Sequence, residues 1–179
     1  MGLFVVSVVG ADRPGIIAEV TAALAQVGAN LEDSTMSVLR GRLAMMMVVS
    51  ASVPQQEMSQ AIAGLTSDAL HVSCRTLEQL DAQASQPCHP FTLSVYGADQ
   101  PGLVSAITAE VARLGGNITD LSTRLIAADG PGGHPLYVLL ADVDLPEQVP
   151  QLQLREALAH RATQVGVRVS LRQADADLL

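Results

Sequence analysis

Hydrophobic and polar positions change rhythm early in the chain and return to the same rhythm later. Residues 3–9, LFVVSVV, are almost wholly apolar and end at GADRPGI, residues 10–16. A short apolar run closed by Gly, Asp and Pro predicts a strand leading into a turn. Apolar residues then fall at Ile17, Val20, Leu24 and Val27, the spacing of one helix face, and Gly28 ends the pattern. Asp12 is expected to cap this helix, with Pro14 in its first turn, where a missing N–H costs nothing. Two strands follow at about 30–39 and 42–52, joined at RGR by a tight hairpin. In the second of them Met45, Met46 and Met47 alternate faces, as filling for core and interface. A second helix at about 55–65 and a closing strand, HVSCRTL, complete the set.

The set occurs twice. At a constant offset, residues 4–36 align without a gap on residues 91–123, with 14 identities in 33 positions. Gly10, Asp12, Pro14, Gly15, Gly28, Asn30 and Asp33 recur as Gly97, Asp99, Pro101, Gly102, Gly115, Asn117 and Asp120. The second helix face reads Val104, Ile107, Val111 and Leu114. Its strand pair is expected at about 117–128 and 135–144, its second helix at about 147–164 with Leu154, Leu158 and Val165 on one face, and its last strand at VRVSLR. The chain is therefore an internal duplication. Its expected organisation is a domain over 1–78, a polar linker over 79–90, a second domain over 91–173 and a frayed tail over 174–179.

The order βαββαβ, twice, predicts an α+β fold of two ferredoxin-like domains. Each is a four-stranded antiparallel sheet with two helices on one face. Phe4, Val6 and Val8, like Phe91, Leu93 and Val95, belong to the helix-covered face. The opposite face holds Val5, Ser7 and Val9 in the first copy but Thr92, Ser94 and Tyr96 in the second. A one-sided sheet should alternate apolar and polar. Either the first copy's open face is partly covered, or its strands are simply rich in valine.

Composition narrows the function. The charge is −8 and no lysine is present. Divided at Gln86, each half carries −4, from 4 Arg against 8 acids and 6 Arg against 10 acids. With no basic stripe to neutralise phosphates, direct binding to nucleic acid is not expected, and an acidic membrane surface would repel the chain. Cys74 and Cys88 are the only cysteines. With no signal peptide and an N-terminal apolar run too short to span a bilayer, they indicate a reduced, cytoplasmic protein. Val6 breaks the myristoylation pattern.

Asp-x-Pro-Gly followed by Gly-x-Asn, present twice on a βαββαβ plan, resembles the ACT domain. A tandem pair of this length is most similar to the glycine cleavage system transcriptional repressor family. The N-terminal module of formyltetrahydrofolate deformylase is also similar, but no catalytic domain follows here. The resemblance implies a regulator that senses a small amino acid, of the glycine or serine class, and acts through a protein partner such as a transcriptional activator. In such domains the ligand lies between two modules, touching the turn of one and the Gly-x-Asn segment of its neighbour. Carried over, the binding residues are Asp12, Gly15, Ile16, Asn30 and Leu31, with Asp99, Gly102, Leu103, Asn117 and Ile118.

The residues themselves suit that ligand. A helix N-terminus favours a carboxylate, Asp12 or Asp99 could pair with an ammonium, and Asn30 or Asn117 can both donate and accept. Gly15 and Gly102 would let a ligand approach the backbone closely. Capping and tight packing alone would also account for Asp-x-Pro-Gly, so a ligand-free assembly module stands as the alternative. Arg13 becomes Gln100 and Glu32 becomes Thr119, so the two copies are not equivalent. No cofactor, metal or catalytic residue is expected. GPGGHP lacks the strand–loop–helix context of a phosphate loop. Cys88 and His89 are too few for a metal, and no nucleophile–base pair is visible. No Lys or Pro blunts the second strand of either copy, so edge-to-edge pairing, and with it a homo-oligomer such as a dimer, is expected.

Overall fold

A computed structural model describes residues 1–77, 87–127 and 135–174. The chain divides into two compact units, Met1–Ala82 and Gln83–Leu179. The first contains β1 (Gly2–Ala11), α1 (Ile16–Gln26), β2 (Asn30–Leu39), β3 (Arg42–Ala51), α2 (Gln55–Ala63) and β4 (Leu70–Thr76). The second contains β5 (Cys88–Ala98), α3 (Leu103–Arg113), β6 (Asn117–Ile126), β7 (Leu136–Pro146), α4 (Gln151–Val165) and β8 (Arg168–Gln173). Each unit has one antiparallel sheet, ordered β2-β3-β1-β4 and β6-β7-β5-β8. This is the expected fold. Cys88, His89 and Pro90 lie in β5 rather than in a linker, while residues 79–86, the GPGGH part of the β6–β7 connection and residues 175–179 lie outside the described residues.

Alternation along the central strands builds each core. Phe4, Val6 and Val8 are buried with Met45, Met47 and Val49 of β3 and with Val20, Leu24, Met58 and Ile62 of the helices. Phe91, Leu93 and Val95 form the equivalent layer with Ile107, Val111, Leu154 and Leu158, and Val165 packs at its margin. On the first unit's open face Val9 and Met46 are about half exposed, at 54% and 51%. The helix faces differ from expectation by one position. Ile16 and Leu103 are buried, whereas Ile17 is exposed and Val104 only half-buried. The buried stripe of α1 runs Ile16, Val20, Ala23 and Leu24, an i, i+4, i+7, i+8 spacing that takes Ile16 in place of Ile17.

Two recurrent glycine positions, and one in a hairpin of the first copy alone, are dictated by geometry. A Cβ on Gly10 would lie 2.3 Å from the carbonyl oxygen of Ala69 and 2.7 Å from Cα of Leu70. Gly97 sits as tightly against Val167, at 2.5 Å from Cγ1. The central strand can therefore lie beside the entry to the last strand only if it lacks a side chain there. Gly28 and Gly115 end α1 and α3 with φ of 69° and 75°, a conformation that L residues resist. In the β2–β3 hairpin Arg40 and Gly41 both have positive φ, 50° and 75°, as a two-residue turn matched to strand twist requires.

One polar network distinguishes the second unit. Arg161 of α4 donates from Nη2 (2.7 Å) and Nε (3.1 Å) to Oε1 of Glu110 on α3, and Nε of Arg113 donates to Oε2 (2.9 Å). The first copy has the buried Ala23 at the position of Glu110. Hydrogen bonds from Arg161, then from Arg113, hold the Glu110 carboxyl below its ordinary range, against the opposing effect of burial.

Two outcomes follow from this packing. Gly10→Ala should destabilise the protein by about 1–3 kcal/mol, the usual cost of overpacking, read as a lower urea midpoint at unchanged slope. Glu110 binds its proton less readily when folded than when unfolded. Its stabilising contribution is thus complete above the unfolded carboxylate value, about 4.3, and is lost as pH falls through the lower folded value. Glu110→Gln should flatten the decline of the urea midpoint as pH falls below about 4.3.

Candidate functional site

The turn that opens each copy is built on a left-handed glycine. Gly15 (φ 93°, ψ −12°) and Gly102 (φ 85°, ψ −3°) are the N-cap residues of α1 and α3, and neither helix has a side-chain cap. The expectation that Asp12 and Asp99 cap these helices is thereby corrected. Three residues separate each Asp from the helix start, and the αL glycine makes the bend that a capping side chain would otherwise stabilise. Pro14 and Pro101 likewise precede the helix instead of filling its first turn. Crowding does not explain these glycines: a Cβ on Gly102 would meet nothing within 4 Å, and on Gly15 only Oε1 of Glu19 at 3.5 Å. Their backbone angles do. Capping therefore leaves the recurrence of Asp12 and Asp99 unexplained, and both side chains are exposed.

Ile16 and Leu103 are 2% and 3% exposed, so only their backbones can meet a ligand. The N–H of Glu19 bonds to the carbonyl of Gly15 at 2.9 Å, which leaves the N–H groups before it without an earlier helical carbonyl.

Asn30 and Leu31 lie far from this turn. Ala11 pairs with Arg42, which pairs with Leu39, whereas Asn30 pairs with Ser50 and Ser50 with Leu3. The turn and the Gly-x-Asn segment therefore sit at opposite ends of one sheet, eight rows or roughly 26 Å apart. The second unit repeats this, with Ala98–Leu136–Ile126 at one end and Pro90–Asp144–Asn117 at the other.

A feature not visible in the residue pattern lies beside each Asn. The β2–β3 register shifts between Leu31 and Asp33, and the β6–β7 register shifts between Ile118 and Asp120. The extra residue is Glu32 or Thr119, the site of divergence between copies. An inserted residue resets alternation. Leu31, paired with Val49, and Met36 and Val38, paired with Met45 and Leu43, consequently share the helix-side face. Without the bulge they would point to opposite faces.

Every residue of β2 is nevertheless exposed, and of β6 only Ile118 is half-buried. Beside β2 this leaves an open groove of about 510 Å³ between the turn and the strand. Its rim includes Asp12, Arg13 and Gly15, its walls are Ile17, Met36 and Val38, and buried Ile16 and Leu43 form its floor. In the second unit a groove of about 380 Å³ brings Asn117 and Ile118 against Ser105, Thr108, Ala109 and Ala112 of α3. Of the expected binding residues, the structure thus gathers Asp12, Gly15 and Ile16 in one place and Asn117 and Ile118 in another.

The turns also differ in charge. Arg13 donates from Nη1 and Nη2 to Oε1 and Oε2 of Glu19, both at 2.6 Å. Hydrogen bonding within this pair raises the guanidinium and lowers the carboxyl from their ordinary values. At the equivalent positions Gln100 instead donates to the carbonyl of Val165, and residue 106 is alanine. The repeat comparison marked Arg13 as divergent. Glu19, Met36 and Val38 were not singled out, although the paired change of Arg13 and Glu19 was a signal in the sequence.

Cys74 is buried, and burial pushes its thiol up, away from reactivity, while Cys88 is exposed. Among the described residues no group of three or more His, Cys, Asp or Glu is placed to hold a metal ion, and no helix is long and apolar enough to cross a membrane.

Comparison with known proteins agrees with this architecture. Residues 2–80 match the family model of the ACT domain. The chain is 26% identical over 174 residues to the glycine cleavage system transcriptional repressor of Escherichia coli, covering 93% of this chain and 87% of that protein. A shorter relative, the UPF0237 protein YjhC of Lactococcus lactis, is 41% identical over 69 residues, which is 38% of this chain and 79% of that one. Among solved structures, a protein of unknown function from Galdieria sulphuraria superposes with a TM-score of 0.85 at 30% identity, over 97% of this chain and 99% of that one. A second structure, provisionally assigned as a glycine cleavage system transcriptional repressor, shares the fold with a TM-score of 0.70 at 22% identity, over 97% and 98%. Residues 2–80 belong to the ACT-domain family, the second unit repeats their sequence pattern and fold, and the chain is similar over nearly its whole length to the glycine cleavage system transcriptional repressor of Escherichia coli.

Proposed function

We propose that this protein is a cytoplasmic amino-acid-sensing regulator of the glycine-cleavage-repressor type, with no catalytic activity of its own. One observation carries the reading: the turn and the Gly-x-Asn segment of a module lie at opposite ends of its sheet. A ligand as small as an amino acid can touch both kinds of element only by joining two modules. The turn offers helical N–H groups that have no earlier helical carbonyl and an exposed Asp, and the other end offers Asn30 with Leu31 or Asn117 with Ile118.

Bridging ties ligand occupancy to module packing. A ligand biases only those states for which its affinity differs, so the module–module contact is the switch and a partner protein reads it. The charge of −8 and the absence of lysine favour regulation through that partner rather than by contact with nucleic acid.

A second reading has its own support. β2 and β6 carry apolar side chains that are exposed on unpaired edges, as an assembly module without a ligand would need.

Calorimetric titration with glycine, serine and the other amino acids separates the two readings. The sensor predicts saturable binding that weakens at least about tenfold in the Asn30→Ala, Asn117→Ala double variant, which loses hydrogen bonds to charged groups. Absence of binding by every amino acid, in folded protein freed of carried-over ligand, supports the assembly module.

A further inference from the structure

The resemblance implies a glycine- or serine-class ligand, but the groove of the first unit is not built for a ligand without a side chain. Ile17, Met36 and Val38, which form its walls, are exposed by 44%, 46% and 43%. Its volume, about 510 Å³, falls in the range of small-molecule sites, roughly 300–1,000 Å³. Glycine would leave those walls in water.

The rim carries both signs of charge. Asp12 is exposed and makes no ion pair among the described residues. Arg13 stands next to it, held in a two-bond clasp with Glu19. The Glu19 carboxylate lies beside the turn, its Oε1 3.5 Å from where a Cβ on Gly15 would be. This pair is half-exposed, at 52% and 43%, and such pairs open at little cost.

Resting on the amino-acid-sensing reading, we propose that this groove selects an α-amino acid with an aliphatic side chain, of the leucine or methionine type. The side chain lies against Ile17, Met36 and Val38. The ammonium meets Asp12, and the carboxylate takes the Arg13 guanidinium from Glu19. Arg13 is the specificity-determining cation and Glu19 an internal competitor that sets the ligand concentration at which the site fills. The second copy has Gln100, Ala106 and Thr123 where the first has Arg13, Glu19 and Met36, so it lacks this clamp.

Three substitutions that install the second copy's residue test the proposal by calorimetry with leucine, methionine and glycine: Arg13→Gln, Glu19→Ala and Met36→Thr. Arg13, Glu19 and Met36 are all exposed, and circular dichroism checks each fold. The intact protein should bind leucine and methionine at least about tenfold more tightly than glycine, as buried methylenes require. Arg13→Gln should weaken leucine about tenfold or more, and Met36→Thr several-fold. Glu19→Ala should tighten it, which loss of a merely structural ion pair would not do. Glycine binding as tightly as leucine overturns the inference but leaves the sensing function intact. Leucine binding untouched by all three substitutions also overturns it. Binding of no amino acid at all overturns the sensing reading, and this inference with it.

Discussion

The edge strand β2 is hydrogen-bonded to β3 along one side, has no strand partner along the other among the described residues, and is exposed at every residue. Its helix-side face still carries Leu31, Met36 and Val38, and β6 repeats the arrangement with Leu121 and Leu125. An isolated strand of this kind invites a neighbour, because apolar area and backbone donors both remain in water. The core does not depend on it. Phe4, Val6 and Val8 are buried among β3, β4 and the helices, and no residue of β2 belongs to that cluster. Each module is thus complete as a folded body and unfinished as a surface, and both halves of the candidate site lie along that unfinished edge.

Duplication has separated scaffold from chemistry. Residues that the backbone demands are the same in both copies: glycine where β4 or β8 presses on the central strand, left-handed glycine before α1 and α3, and glycine after them. Polar residues around those points differ. Arg13 with Glu19 faces Gln100 with Ala106, and buried Ala23 is answered by Glu110 with its two arginines. The same turn therefore presents a charged clasp in one module and a tethered amide in the other. In the second module Arg161 of α4 is tied to Glu110 of α3, a link between helices that the first module lacks at Ala23.

Much of the fold was legible because its signals are local. Strand alternation and helix spacing appear in short windows that recur in the second copy, and the Arg40–Gly41 hairpin is legible in its own window alone. The helix start was misread because Asp-x-Pro-Gly satisfies a capping rule equally well. Only the positive φ of Gly15 shows that the helix begins at Ile16, while Ile17, which fits the apolar period as Ile16 does, lies outside the buried stripe and on a groove wall. The bulges at Glu32 and Thr119 could not be read either. A bulge is a property of two paired strands, and no single strand records its register. Met36 and Val38 were missed for that reason, since their shared face with Leu31 exists only after the shift.

The central claim is that one bound amino acid engages elements at opposite ends of the module plan, and so joins two modules. Amide hydrogen exchange with and without saturating leucine tests it most directly. The account predicts slower exchange at the Gly15–Ile17 turn together with slower exchange at the strand starts beside Asn30 or Asn117, roughly 26 Å away on the same sheet plan. Protection confined to the turn, with both strand starts unchanged at saturation, would show a ligand held by a single module and would contradict the account.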